Sequence, residues 1–208
     1  MKYFDVHTHT NMEPLLSTAD VIAKNCNDLN ISYVDIGIDI LTSRISIEHA
    51  KKHKNVYACV GIHPNDVSSM HLQSAFSELE ALLKDAKINK IVAIGETGLD
   101  YHTPGYDMIK QQEFFIRHIE LARQYNLPLM VHVRDAHEDT LKILEQYGRN
   151  LKVIIHCYSG NLTQTHKYIN LGVWFSIPGV ITFKNAGELR KIVQIIPVDK
   201  LLSETDAP

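Results

Sequence analysis

The sequence predicts a (β/α)8 barrel. Three observations carry that expectation. Eight short apolar runs alternate with amphipathic segments along the whole chain, and continuous apolar runs are what strands buried on both faces of a parallel sheet look like. No Gly-x-Gly-x-x-Gly follows the first run, so the main alternative, an open doubly wound sheet, lacks its signature. The chain has 208 residues, 45% hydrophobic and 22% charged, which matches the low end of the barrel range at about 200 residues. No composition break marks a linker, so a single domain over 1–208 is expected.

The elements follow in order. Tyr3 to His7 reads as the first strand. Ser17-Thr18-Ala19-Asp20 reads as a capping box opening a helix through about Leu29. Ser32 to Ile38 is the second strand, and Ile45, Ile47 and Ala50 mark the next helix. Val56 to Ile62 is the third strand, ending in His63-Pro64, and Phe76, Leu79, Leu83 and Ala86 recur at helical spacing. Lys90 to Gly95 is the fourth strand, with Glu96-Thr97-Gly98-Leu99-Asp100 after it. A long helix covers about Asp107 to Tyr125, and Leu129 to Val133 is the fifth strand, with His132 near its end. A helix from about Ala136 to Tyr147 leads to a sixth strand, Lys152 to His156. A short helix from about Thr163 to Asn170 precedes Gly172, a C-cap glycine. Val173 to Ile177 is strand seven, Asn185 with Glu188 opens the last helix, and Leu201-Leu202-Ser203 is strand eight. The count is eight strands and seven helices, so the barrel is expected to lack its final closing helix.

Net charge is -3, so no basic footprint advertises nucleic acid. Bound divalent metals would put local positive charge where the overall balance shows none. Cys26, Cys59 and Cys157 are odd in number and far apart, with no Cys-x-x-Cys. They read as reduced thiols, and with no signal peptide or membrane-length apolar run the expected compartment is the cytoplasm. Histidine, at 12 residues, is the one excess. His49 and His53, in a lysine-rich helix end, read as surface residues.

A barrel of this kind places its working groups at the carboxyl ends of the strands. Those ends carry His7 and His9 after strand one, His63 after strand three and Glu96 after strand four. His132 follows strand five, His156 strand six, and Glu204 and Asp206 strand eight. Residues two apart on a strand share a face, so His7 and His9 project together. Neutral imidazoles suit a divalent cation. A carboxylate such as Glu96 can bridge two cations, and Asp206 can both bind a metal and take a proton. Two cations about 3.5–4 Å apart suit in-line displacement at phosphorus.

Other readings stay open at single positions. His63 either meets substrate or simply ends a strand. Tyr101 and His102 either contact substrate or are solvated loop residues. Arg134-Asp135 is either a phosphate clamp with its supporting carboxylate or a paired helix start. His118, His137 and His166 fall on helices and read as surface or satisfied core. Glu204 reads as a partner of a ligand and not a ligand itself: neighbours on a strand face opposite ways, while Asp206 shares its parity.

Seven stretches carry a family resemblance: DVHTHT at the start, VGIHP at 60–64, AIGETGLDYH at 93–102, QQEFFIRHIELA at 111–122, LPLMVHVRDA at 127–136, IHCYSG at 155–160 and SETDAP at 203–208. Together they resemble the TatD family of metal-dependent deoxyribonucleases, within the amidohydrolase-like barrels. The resemblance implies two divalent ions, with His7, His9 and Asp206 on one, Glu96 bridging, and His132 and His156 on the other. It implies His63 beside the scissile phosphate, and catalytic roles for Asp206, Glu96 and His63. His63, Arg134, Tyr101 and His102 are the expected substrate-binding residues. It further implies a magnesium-dependent 3′–5′ exonuclease on DNA, mainly single-stranded, with zinc, manganese or nickel also able to occupy the site. Family members continue past Glu-Thr-Asp-Ala-Pro with closing helices, whereas this sequence stops at Pro208. Self-association over the uncapped barrel edge, and a weakly held Asp206, are therefore expected. Two other activities compete: hydrolysis of another ester or amide, such as aminoacyl-tRNA deacylation, and an inactive barrel serving as a binding protein.

Overall fold

The computed structural model describes residues 2–208. Its sheet has eight parallel strands in the sequential order β1 to β8. They are β1 Tyr3–Thr8, β2 Ile31–Ile36, β3 Val56–Val60, β4 Ile91–Asp100, β5 Leu129–Arg134, β6 Val153–Ile155, β7 Trp174–Ile177 and β8 Leu201–Ser203. The helices between them are α1 Ala19–Asp28, α2 Ile40–Lys52, α3 Leu72–Leu83, α4 Met108–Tyr125, α5 His137–Tyr147, α6 Leu162–Asn170 and α7 Gly187–Ile195. Among the described residues no helix follows β8, and none is long and apolar enough to cross a membrane.

Both strand faces are buried, as the apolar runs predict. Tyr33, Val56, Ala58, Val60 and Ile94 pack under helix residues such as Ile47, Leu79 and Phe115. Residues of the other parity, Val34, Ile36, Cys59, Ala93 and Met130, form a second cluster with no helix residue in it, the inside of the barrel.

The ends of the sheet, β1 and β8, meet along an irregular seam. His9 N–H donates to the Ala207 carbonyl (2.8 Å) and Asp206 N–H to the His7 carbonyl (3.0 Å). Asp5 accepts from the Thr205 amide (3.0 Å) and hydroxyl (2.6 Å). Asp206 is therefore anchored on both sides, contrary to the expectation that it is weakly held.

Two helix starts differ from the expected ones: α1, and α7, which begins at Gly187 after Ala186 with no side-chain cap, so Asn185 does not open it. The capping box at 17–20 does not form: the Thr18 hydroxyl donates back to the Leu15 carbonyl in a short 3-10 turn, and α1 begins without a side-chain cap. The capping boxes that do form are Asp39 with Thr42 on α2 and Asn161 with Gln164 on α6. Gly172, with φ 74°, does take the left-handed position after α6. Strand β4 runs five residues further than expected, to Asp100, and pairs Gly98 with His132 and Asp100 with Arg134. Gly98 has φ 137°, and a Cβ there would sit 2.1 Å from the His132 carbonyl oxygen. That close approach is why the extension needs glycine.

Candidate metal centre and active site

The strand ends deliver their groups to one cleft. His9, His63, Glu96, His132, Arg134, His156, Cys157, Ser159 and Asp206 line a cavity of about 400 Å³ at the carboxyl ends of the strands. Glu96 is its centre. One carboxylate oxygen lies 2.7 Å from His156 Nε2, 3.0 Å from His132 Nδ1 and 3.6 Å from His63 Nε2. The other lies 3.4 Å from His7 Nε2 and 3.6 Å from His9 Nε2. Asp206 Oδ1 approaches the same two nitrogens, at 3.5 and 3.7 Å.

The arrangement fits metal ions. His7 Nε2 and His9 Nε2 face each other at 3.1 Å with two carboxylates beside them. Three donor sets have their ligand atoms within 4.8 Å of one another: His7, His9 and Glu96; His7, His156 and Asp206; and His63, Glu96 and His132. Nitrogen and carboxylate donors converging in a buried site suit zinc or a similar divalent ion, and carboxylates suit magnesium. Burial, reinforced by neighbouring histidines and only partly opposed by Glu96, depresses His7 to about 3 and His63 to about 4, so both imidazoles are neutral, with a lone pair free. Burial would raise Glu96 and Asp206. The neighbouring histidines outweigh it, holding Glu96 well below the usual carboxylate range and Asp206 at about 2.

A surrounding set of groups fixes the orientation of these side chains. His9 Nδ1–H donates to the Ile36 carbonyl at 3.0 Å, which turns Nε2 into the cleft. Asp100 Oδ2 lies 3.2 Å from His132 Nε2, which leaves Nδ1 to face Glu96. Glu204, 6% exposed, accepts from the Cys157 amide at 2.6 Å and from the Ser176 hydroxyl, and lies 3.9 Å from His156 Nδ1. It stands behind the histidine, the supporting place expected for it. Burial pushes Glu204 up to about 7.

Not every expected substrate group reaches the cleft. His63 and Arg134 line it. Tyr101 stacks on Tyr106 with ring centroids 4.9 Å apart, its hydroxyl donating to Asp139, and His102 pairs with Asp135 at 2.8 Å. Both sit on the rim, outside the cleft lining, and Asp135 supports His102 instead of Arg134. Asp100 is not among the expected strand-end groups because strand four is expected to stop at Gly95; the carboxylate closing the stretch Glu96 to Asp100 is its only signal. His118 and His137 are buried and satisfied, His118 between the Ile62 amide and the Phe114 carbonyl. His49 is not a plain surface residue, since it bonds the fully buried Asp35 at 2.9 Å.

A (β/α)8 barrel whose strand ends converge imidazoles on a shared carboxylate is a metal-dependent hydrolase scaffold. The sequence matches the family described as TatD related DNase over residues 4–208, and the chain belongs to that family. It is 38% identical to an uncharacterized metal-dependent hydrolase of Mycoplasma pneumoniae, an alignment covering 100% of this chain and 82% of the relative. It is 34% identical to the uncharacterized metal-dependent hydrolase YabD of Bacillus subtilis, covering 99% and 80%. Among solved structures, YjjV, a TatD homolog from Escherichia coli K12, superposes with TM-score 0.90 at 25% identity, covering 99% of this chain and 79% of that one.

Proposed function

We propose that this metal-dependent hydrolase cleaves phosphodiester bonds of DNA, removing nucleotides from the 3′ end of single strands. The observation that carries the reading is the central Glu96 carboxylate, shared among His7, His132 and His156 at 3.4, 3.0 and 2.7 Å. A carboxylate so placed would bridge two divalent ions, with His7, His9 and Asp206 on one side and His132 and His156 on the other. Such ions supply positive charge that acidifies water and neutralises charge developing on phosphorus-bound oxygens. The family description supports a nuclease, and a cleft of about 400 Å³ is the size for one nucleotide-sized unit.

The chain's own groups then have distinct tasks. Asp206, anchored at the seam and about a third exposed at its side chain, takes the proton of the attacking water. Water attacks phosphorus, the P–O3′ bond breaks, and the proton passes to the leaving oxygen. His63, neutral at the cleft wall, and Arg134, with its fixed charge, orient the phosphate. Tyr101 and His102 on the rim meet the outgoing strand.

The test is degradation of an end-labelled single-stranded oligonucleotide in magnesium, manganese and chelator, beside Glu96→Gln. Metal-dependent shortening from the 3′ end that disappears in the variant is expected. An inert protein that still binds metal would overturn the DNA reading and favour another ester or amide substrate.

A further inference from the structure

Beside the metal cleft lies a second cavity, of about 470 Å³, that shares Cys157 and Ser159 with it. Its walls are the loop after β6 and the segment from β7 into α7. Phe183, Leu189 and Ile192 give it an apolar surface, and Asn161, Asn185 and Glu188 border it. Phe183 is 59% exposed, a large aromatic left open at the working end of a barrel.

The loop that carries Phe183 is held from behind. Arg190 on α7 donates to the carbonyls of Ile181 (2.9 Å) and Phe183 (2.8 Å), and more weakly to Lys184 (3.3 Å). The Thr182 hydroxyl donates to the Gly179 carbonyl at 2.8 Å. A ring mounted on a fixed backbone loses little freedom when a partner stacks on it.

We propose that this cavity is a nucleobase subsite. It takes the unpaired base of a nucleotide flanking the phosphate held at Glu96, with Phe183 as the stacking surface. The inference rests on the nuclease reading above and adds the group by which the strand is gripped. Charge separates a base from a phosphate as the occupant: among the described residues the lining holds one carboxylate and two carboxamides and neither lysine nor arginine. An anion is disfavoured there, while an uncharged base finds an apolar face and hydrogen-bonding groups for its edge. Continuity with the cleft through Ser159 gives the reach, since a base lies one sugar away from its phosphate. Stacking on an aromatic is tolerant of sequence, so the subsite selects for unpaired strands without selecting a base.

The experiment compares two end-labelled single strands, one carrying all its bases and one abasic at the two terminal nucleotides. The readout is the ratio of their kcat/KM values in wild type, Phe183→Ala and Phe183→Trp. The expected result is a ratio that falls about 5- to 150-fold in Phe183→Ala, the range of base–aromatic stacking, and is retained in Phe183→Trp. Because Phe183 is exposed, the alanine variant is expected to keep the wild-type melting temperature. Metal-dependent cleavage with a ratio unmoved by Phe183→Ala overturns the subsite and leaves the nuclease reading standing. A wild-type protein inert toward both strands in magnesium and manganese overturns the nuclease reading, and the subsite with it.

Discussion

Asp100 lies 3.2 Å from the Nε2 of His132, and this contact decides which nitrogen of His132 faces Glu96. A carboxylate on one side of an imidazole fixes the tautomer and raises the basicity of the other nitrogen. Asp100→Asn removes that charge while keeping the shape. The expected outcome is a metal affinity weakened by about 10- to 100-fold, read by titrating the metal-free protein with zinc or manganese. Unchanged affinity would mean that His132 needs no such support.

Glu204 is predicted to matter for the fold as much as for the site. It accepts from the Cys157 amide and the Ser176 hydroxyl in a buried position. Glu204→Ala leaves both donors without a partner. The expected loss is about 2–5 kcal/mol of stability, from two unsatisfied buried groups. Urea unfolding with chelator present for both proteins keeps metal affinity out of the comparison.

His118 gives a pH prediction away from the cleft. Its Nδ1–H donates to the Phe114 carbonyl (2.7 Å), and Nε2 accepts from the Ile62 amide (3.1 Å). A proton on Nε2 would abut that amide hydrogen, and burial already depresses the ring from 6.5 to about 4. As pH falls through 6.5 the unfolded chain takes up the proton first. Stability is therefore full above 6.5, declines down to about 4, and this contribution amounts to ~3 kcal/mol. Stability curves of His118→Gln should show a shallower decline across that window. The remainder of the slope belongs to histidines such as His137, also depressed to about 4 by burial. Parallel curves would sink the assignment.

Gly98→Ala tests the long β4. The added methyl meets the His132 carbonyl oxygen at 2.1 Å, at φ 137°, so β4 and β5 must separate where Glu96 and His132 are set. Backbone strain of this kind costs about 1–3 kcal/mol before the collision is counted. A lowered melting temperature together with reduced metal binding is expected; a wild-type melting temperature would contradict the pairing of Gly98 with His132.

The order of strands and helices was legible because the apolar runs are continuous and the helical faces periodic. The gathering of histidines and carboxylates was legible because each stood just after a strand. What escaped reading has physical reasons. Strand four is expected to stop at Gly95, yet Gly95 and Gly98 are the residues that let β4 run on against β5, so Asp100 falls outside the expected strand. Ser17 and Thr18 have the chemistry of a cap, but a local 3-10 turn claims the Thr18 hydroxyl. Tyr101 and His102 stand beside the right motif, and their partners Asp139 and Asp135 come from elsewhere in the chain and hold them at the rim. Asp5 has no local signature at all, because its partner Thr205 is 200 residues away.

That distance has a consequence for how the barrel assembles. The seam joins residues 199 and 200 positions apart, so it closes a ring that runs through all eight strands. Contacts of such separation form late and slowly, and their entropy cost is met only once the rest is in place. His7 and His9 lie at the end of the first strand, and Asp206 just after the last one. An ion held jointly by these three would link the first strand to the segment after β8, and would favour the closed ring by mass action as its concentration exceeds Kd. The supply of metal would then bear on two properties at once, whether the reaction runs and whether the first and last strands stay together.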